Sequence, residues 1–336
     1  MVRTSLIAIA CVVAATATPA VSADPTLVKY SLPAPVTAMT VADTGLLVQL
    51  SDGRSLALSL RAGAVDLAPA ETSTPPKAGP NPLPDTVVAI GTRGITAAWF
   101  IDPTSRYGHG VLGDAIEAGG IAARLADGGT AVLRLDAESV FEDRLPRLAD
   151  LNGDGNDEIL AVRSYLDRGA ALSIVAPRGD GLAIVGEAAP IGRSNRWLNP
   201  IGVGDFDADG RIEAAVVITP HIGGTLTLYE WSGDKLTVEH EAFGFSNHAI
   251  GSRELTLAAV ADMNGDGTPD IVLPDATRTA LETVTFKGGD MRTLFEVPIS
   301  GRLAGPVAAA DLDGDGKPEI AFILAGNLLV VADPSP

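Results

Sequence analysis

Hydrophobic residues in this chain recur in short runs broken by glycine, aspartate and proline, and no stretch keeps the period of an amphipathic helix. The clearest runs are Ile159–Val162, Ala214–Ile218, Ile271–Leu273 and Ile320–Leu324. Each is of strand length, rich in branched side chains and apolar on both faces, as strands packed between neighbouring sheets should be. A hairpin pattern follows the first three. Ala171–Ala176 and Leu182–Gly186 flank Arg178-Gly-Asp-Gly181, Thr225–Trp231 and Lys235–His240 flank Ser232-Gly-Asp234, and Thr283–Lys287 and Thr293–Val297 flank Gly288-Gly-Asp290. The stretch before each run is also strand-like, as in Leu257-Ala-Ala-Val-Ala261. The repeating unit therefore has four strands.

Between the first and second strands of each unit lies a nine-residue acidic loop, found four times: Asp150–Glu158, Asp205–Glu213, Asp262–Asp270 and Asp311–Glu319. Oxygen side chains hold loop positions 1, 3, 5 and 9: Asp150, Asn152, Asp154 and Glu158; Asp205, Asp207, Asp209 and Glu213; Asp262, Asn264, Asp266 and Asp270; Asp311, Asp313, Asp315 and Glu319. Glycine holds position 6 in every copy. Alternate residues of a tight loop can aim oxygens at one point, which is what a hard cation such as calcium requires. Position 7 would offer only its carbonyl, and its side chain varies freely (Asn156, Arg211, Thr268, Lys317). An EF-hand would need glutamate at position 12, where this chain has Ala161, Val216, Leu273 and Phe322, so that reading fails. Ordinary Asp-Asn-Gly turns would explain one copy, not four.

The first aspartates are 55, 57 and 49 residues apart, a spacing typical of propellers, solenoids and tandem arrays. Four-stranded units repeated radially make a β-propeller. The amino-terminal third lacks the loop. Val36–Thr40, Leu46–Leu50 and Ser55–Leu60 suit one blade; Thr86–Ile90, Ile95–Ile101 and the run from Gly119 to Phe141 suit one or two more, and Glu71–Pro84 is a linker. The last unit lacks an outer strand, and Thr26–Leu32 is spare, so the amino-terminal strand is expected to complete it and close the ring. The expectation is an all-β propeller of seven four-stranded blades, with six as the alternative. One domain over 24–336 would carry loop-bearing repeats at about 140–190, 196–242, 253–298 and 302–332.

Residues 1–23 read as a secretory leader: Arg3, an apolar run from Leu6 to about Ala15, then Val21-Ser22-Ala23 with cleavage after Ala23. Periplasmic or fully secreted placement follows, and no later run is long enough to span a membrane. The only cysteine, Cys11, lies in the leader, so the mature chain must hold together without disulfides. The net charge of −18 argues against nucleic acid or anionic lipid as partners. Much of it comes from the loops, which place fourteen carboxylates at positions 1, 3, 5 and 9. The expected protein is a monomer.

The loop with its following Ile/Leu/Ala-rich strand resembles the FG-GAP/VCBS repeats, the calcium-binding blades of integrin α-subunit propellers and of many secreted bacterial proteins. The resemblance covers about residues 140–336 and implies up to four structural calcium ions, held by the sixteen side chains named above. The name-giving Phe-Gly and Gly-Ala-Pro motifs are not clearly present in the repeats, with Ala304-Gly-Pro306 the nearest. In the second loop Ala208 replaces the position-4 glycine, which would strain it by about 1 kcal/mol if that position needs positive φ.

Arg196, Arg253 and Arg302 each stand nine residues before a loop aspartate, with Trp197 beside the first and His248 near the second. A ring of such groups at the mouth of a central funnel would suit an anionic ligand; pairing with nearby acids is the plainer reading. His221 and His109 fall in turns, and Glu142-Asp143 reads as an exposed turn. Arg178-Gly-Asp180 is turn chemistry. Two functions stand against each other: non-catalytic recognition of a protein or glycan, and a lyase or hydrolase acting on an anionic substrate. The second requires His109, His221 or His248 to converge on an arginine or carboxylate.

Overall fold

The computed structural model describes residues 25–42, 45–71 and 76–334; the leader, its cleavage point after Ala23 and Cys11 lie outside them. Among the described residues every regular element is a β-strand, and no helix is long and apolar enough to cross a membrane. The strands form three four-stranded sheets and one continuous thirteen-stranded sheet, which divides into three four-stranded antiparallel units and a linking strand; numbered along the chain, the four-stranded units are six. The first sheet comprises Val36–Ala42, Gly45–Leu50, Ser55–Arg61 and Ala64–Pro69. The second comprises Ala89–Arg93, Ile95–Thr104, Glu117–Leu125 and Thr130–Arg134, and the third Arg147–Ala149, Glu158–Tyr165, Gly169–Arg178 and Gly181–Ala188. The fourth holds Leu198–Gly204, Glu213–Ile218, Thr225–Ser232 and Lys235–Phe243; the fifth Ala259–Ala261, Asp270–Pro274, Ala280–Thr285 and Arg292–Pro298. In the sixth, Leu303–Ala310, Glu319–Leu324 and Leu328–Asp333 are joined by Thr26–Ser31, which pairs antiparallel with Leu328–Asp333.

Among the described residues, Ser139–Phe141 is the one strand outside these units. The stretch Gly119–Phe141 yields one sheet because Glu117–Leu125 and Thr130–Arg134 extend the sheet begun by Ile95–Thr104. Its remaining strand, Ser139–Phe141, pairs with Arg163–Tyr165 and touches Ala118, stitching the second sheet to the third. A short parallel contact of Glu187 and Ala188 with Lys235 and Leu236 joins the third to the fourth.

Consecutive sheets pack face to face through apolar layers. Phe100 and Ile121 meet Ile159 and Val175; Leu160 and Leu172 meet Val216 and Tyr229; Leu228 meets Ile271 and Phe286. Val272 and Leu281 meet Phe322 and Val330, and Val331 and Ile323 meet Leu46 and Leu58. Between the first and second sheets no such layer occurs among the described residues. The face of the second sheet carrying Trp99 and Ile101 is covered instead by Ala78 of the linker, where a Cβ on Gly79 would lie 2.7 Å from the Trp99 ring, and by Val88 just beyond it.

Acidic loops and a histidine pocket

Each acidic loop turns just before the second strand of its sheet, and its ninth residue (Glu158, Glu213, Asp270, Glu319) is the first residue of that strand. Local chemistry repeats in all four. The position-1 aspartate accepts the position-6 glycine N–H, at 3.0, 3.1, 2.8 and 3.0 Å in chain order. The position-3 side chain accepts the position-5 N–H, and the position-9 carboxylate reaches back to the N–H of position 2 at 2.6–2.9 Å. Position 4 has positive φ throughout: Gly153 at 73°, Ala208 at 65°, Gly265 at 74° and Gly314 at 85°. Ala208 therefore carries the strain that an L side chain meets there.

These bonds fold the acidic oxygens toward one another. In the second loop Asp205, Asp207, Asp209 and Glu213, and in the fourth Asp311, Asp313 and Asp315, offer ligand atoms that all lie within 4.8 Å of one another. Buried oxygens of Asp205, Glu213 and Asp270 meet no donor. A carboxylate oxygen withdrawn from water without a partner is costly, and a hard cation satisfies it. Burial, then neighbouring carboxylates, pushes Glu213 and Glu319 up to about 7, and raises Glu158 and Asp270 as well. In the first loop the Asn152 amide donates to Asp154 and Glu158 inside the same cage. The rims carry cations: Arg93 beside Asp150, Arg211 on Asp209 and Lys287 on Asp266. The donor set fits calcium. Such ions, when bound, would brace the loop against its strand.

The three arginines do not form a ring. Arg253 bonds Asp114 at 2.7 Å and lies 3.8 Å from Asp85, so acid pairing accounts for it. It lines a cavity with Arg144, Met39 and Leu255, Arg196 lines a different one, and Arg302 is exposed and lines neither.

The histidines, in contrast, converge. His109, Asn195, Arg196, Trp197, Thr219, His221, Ile222 and Ile250 surround a cavity of about 270 Å³. His109 Nδ1 lies 2.7 Å from Glu142 Oε1, and Ser164 donates its hydroxyl to the other oxygen of that carboxylate. Trp197 donates its indole N–H to the Glu142 carbonyl and stacks its ring on His221, with planes 6° apart and centroids at 6.2 Å. His221 Nε2 stands 2.8 Å from His248 Nδ1, and His248 Nε2 stands 3.0 Å from the Ser252 carbonyl. A carbonyl only accepts, so His248 carries its hydrogen on Nε2 and accepts from His221 Nε2–H. Burial lowers both imidazoles to about 4, so both are neutral near pH 7. His221 Nδ1 is then an unprotonated nitrogen, and with Nδ1 of His109 engaged by Glu142, its Nε2 is the nitrogen left for a ligand.

Glu142-Asp143 is not an exposed turn. Both residues are fully buried, Asp143 accepting from Arg147 and from the backbone of Arg144, Leu145 and Val162. Burial raises Glu142, and burial with nearby acids pushes Glu117, close by, to about 9. Sequence reading missed Glu142; the adjoining apolar pair Val140-Phe141 was the signal that this stretch turns inward.

No protein-family model matches the chain, and no curated protein matches it. Among solved structures it is similar to the rhamnogalacturonan lyase PL11 of Bacillus licheniformis, at 19% identity and a TM-score of 0.41, over 84% of this chain and 48% of that one. It is also similar to the rhamnogalacturonan lyase YesW (16% identity, TM-score 0.39, 86% and 58%) and the exotype lyase YesX (15%, 0.39, 89% and 57%). The chain spans about half the length of these proteins.

Proposed function

We propose that this protein is an exported, calcium-braced β-propeller of six blades that binds an anionic glycan in the histidine pocket and acts on it as a lyase or hydrolase. The pairing of His109 with the buried Glu142 carboxylate, in the same cavity as His221 and Arg196, carries this reading. A carboxylate on Nδ1 holds the imidazole in one orientation and leaves Nε2 facing the cavity to take up a proton. Arg196 suits an acidic group on the substrate, and the Trp197–His221 stack supplies a flat wall for a sugar ring. Ring closure is supported by one cavity that gathers Thr37–Thr40, Val87, Arg144, Leu145 and Glu254–Thr256 from units far apart in the chain. The repeat resemblance supports calcium, and the apolar leader supports export.

Non-catalytic recognition of a protein is favoured by one feature: Ile222 and Ile250, 64% and 71% exposed, form an apolar rim on the same pocket. Incubation with acidic polysaccharides separates the two readings, with products followed by the ultraviolet absorbance of unsaturated uronate and by new reducing ends. Turnover that falls about a hundredfold or more in His109→Ala is expected. Binding without turnover would leave recognition alone, and turnover unaffected by His109→Ala would remove the pocket from the chemistry.

A further inference from the structure

The second acidic loop differs from its siblings in what faces it. In the third, fourth and fifth sheets the hairpin of the third and fourth strands carries a β-bulge at the same place. Register shifts there leave Val185, Glu239 and Leu294 without a cross-strand partner. A bulge turns two consecutive side chains toward one side and so re-aims them. In the third sheet the bulged Val185 lines a cavity with Asn152, Asp154 and Glu158 of the first loop, which shows where this position points. In the fourth sheet the same position holds Glu239, followed by His240.

His240 Nε2 lies 3.1 Å from Asp207 Oδ2, and Asp207, Glu239 and His240 offer ligand atoms all within 4.8 Å of one another. Glu239 Oε2 is buried and meets no donor. Beside this group, the fully buried Glu213 has an oxygen equally without partner. Phe286 and Gly289 of the neighbouring sheet pack on the His240 ring and shield it. Arg211 stands at the rim, 4.0 Å from Glu239 and engaged with Asp209 and Glu230.

We propose that Asp207, Glu239 and His240 form a transition-metal site of zinc type, adjoining the second acidic loop and sharing Asp207 with it. An imidazole nitrogen with two carboxylates suits zinc, cobalt or nickel, whereas calcium and magnesium prefer oxygen alone. The loop uses Asp207 Oδ1 for the N–H of Asp209, which leaves Oδ2 for the second ion. Bound there, the metal ties the outer strand of the fourth sheet to its loop. The proposal does not depend on what occupies the loop.

The test uses the full mature chain, stripped with chelator and then saturated with calcium. Zinc binding is measured by calorimetry, and cobalt binding by its visible absorption. One ion per chain is expected, with affinity lowered about tenfold or more in His240→Gln and in Glu239→Gln and unchanged in His221→Gln. Circular dichroism in the absence of metal should show both variants folded like the parent. Loss of binding in His221→Gln but not in His240→Gln would place the ion in the histidine pocket and overturn the proposal. So would an absence of zinc and cobalt binding by the parent chain.

Discussion

Ala208 offers a clean measurement of backbone strain, because the same loop position is glycine in the three sibling loops. Its φ of 65° lies in the left-handed region, which costs an L residue about 1–2 kcal/mol. Its side chain is exposed, so replacing it with glycine removes little packing. Against the relief stands the greater freedom of glycine in the unfolded chain, about 0.4–1 kcal/mol. Ala208→Gly should therefore stabilise the protein by about 0.5–1 kcal/mol, or roughly 1–2 °C in a domain of this size. The mirror experiment is Gly153→Ala. Gly153 has φ of 73°, and an added Cβ would meet nothing within 4 Å, so its effect is purely conformational. It should destabilise by a similar amount. Urea titrations of both variants and the parent, all at saturating calcium, give the two free energies with one slope. A destabilised Ala208→Gly together with a neutral Gly153→Ala would refute the reasoning, since backbone strain would then not govern position 4.

Two further outcomes follow from the same structure. In the metal-free protein Glu213 and Glu319 hold protons up to about pH 7, whereas unfolded carboxylates lose them near ~4.3. The folded state thus binds more protons across that window, so these groups make stability fall as pH rises through it. His221 and His248, lowered to about 4, act in the opposite sense below ~6.5, and Glu117 adds to the fall up to about 9. Denaturant titrations of chelated protein from pH 6.5 to 8.5 should show decreasing stability; a rise would contradict the assignment. Separately, a mature chain begun at Pro33 removes the partner of Leu328–Asp333 and leaves an apolar edge around Leu329 and Val331. It should melt lower and associate in light scattering, and a monomer with the parent's melting temperature would show that Thr26–Ser31 is dispensable.

What the sequence disclosed, and what it hid, divides by distance along the chain. The acidic loops were legible because every donor sits within nine residues, and backbone geometry alone sets where alternate side chains point. The spare strand Thr26–Ser31 could be placed by counting, because an incomplete last sheet needs a partner. The histidine pocket was hidden because Tyr107-Gly-His109, Glu142, Trp197, His221 and His248 come from separate segments that meet only after the sheets pack. Glu142-Asp143 was misread for a related reason: its hydrogen-bond partners, Ser164 and Val162, lie on the next strand. The number of units was left open between six and seven where Glu117–Leu125 and Thr130–Arg134 follow Ile95–Thr104, because apolar pattern alone cannot say whether a strand extends a sheet or begins another.

Calcium in the acidic loops, as proposed, would hold the sheets in place. Thermal melting of one protein sample, in excess calcium and again after chelation, tests it most directly. At a hundredfold excess over the dissociation constant each site contributes about 2.7 kcal/mol, and four give roughly 10 kcal/mol, so chelation should lower the melting temperature by at least ~10 °C. Superimposable melting curves in calcium and in chelator would contradict the account.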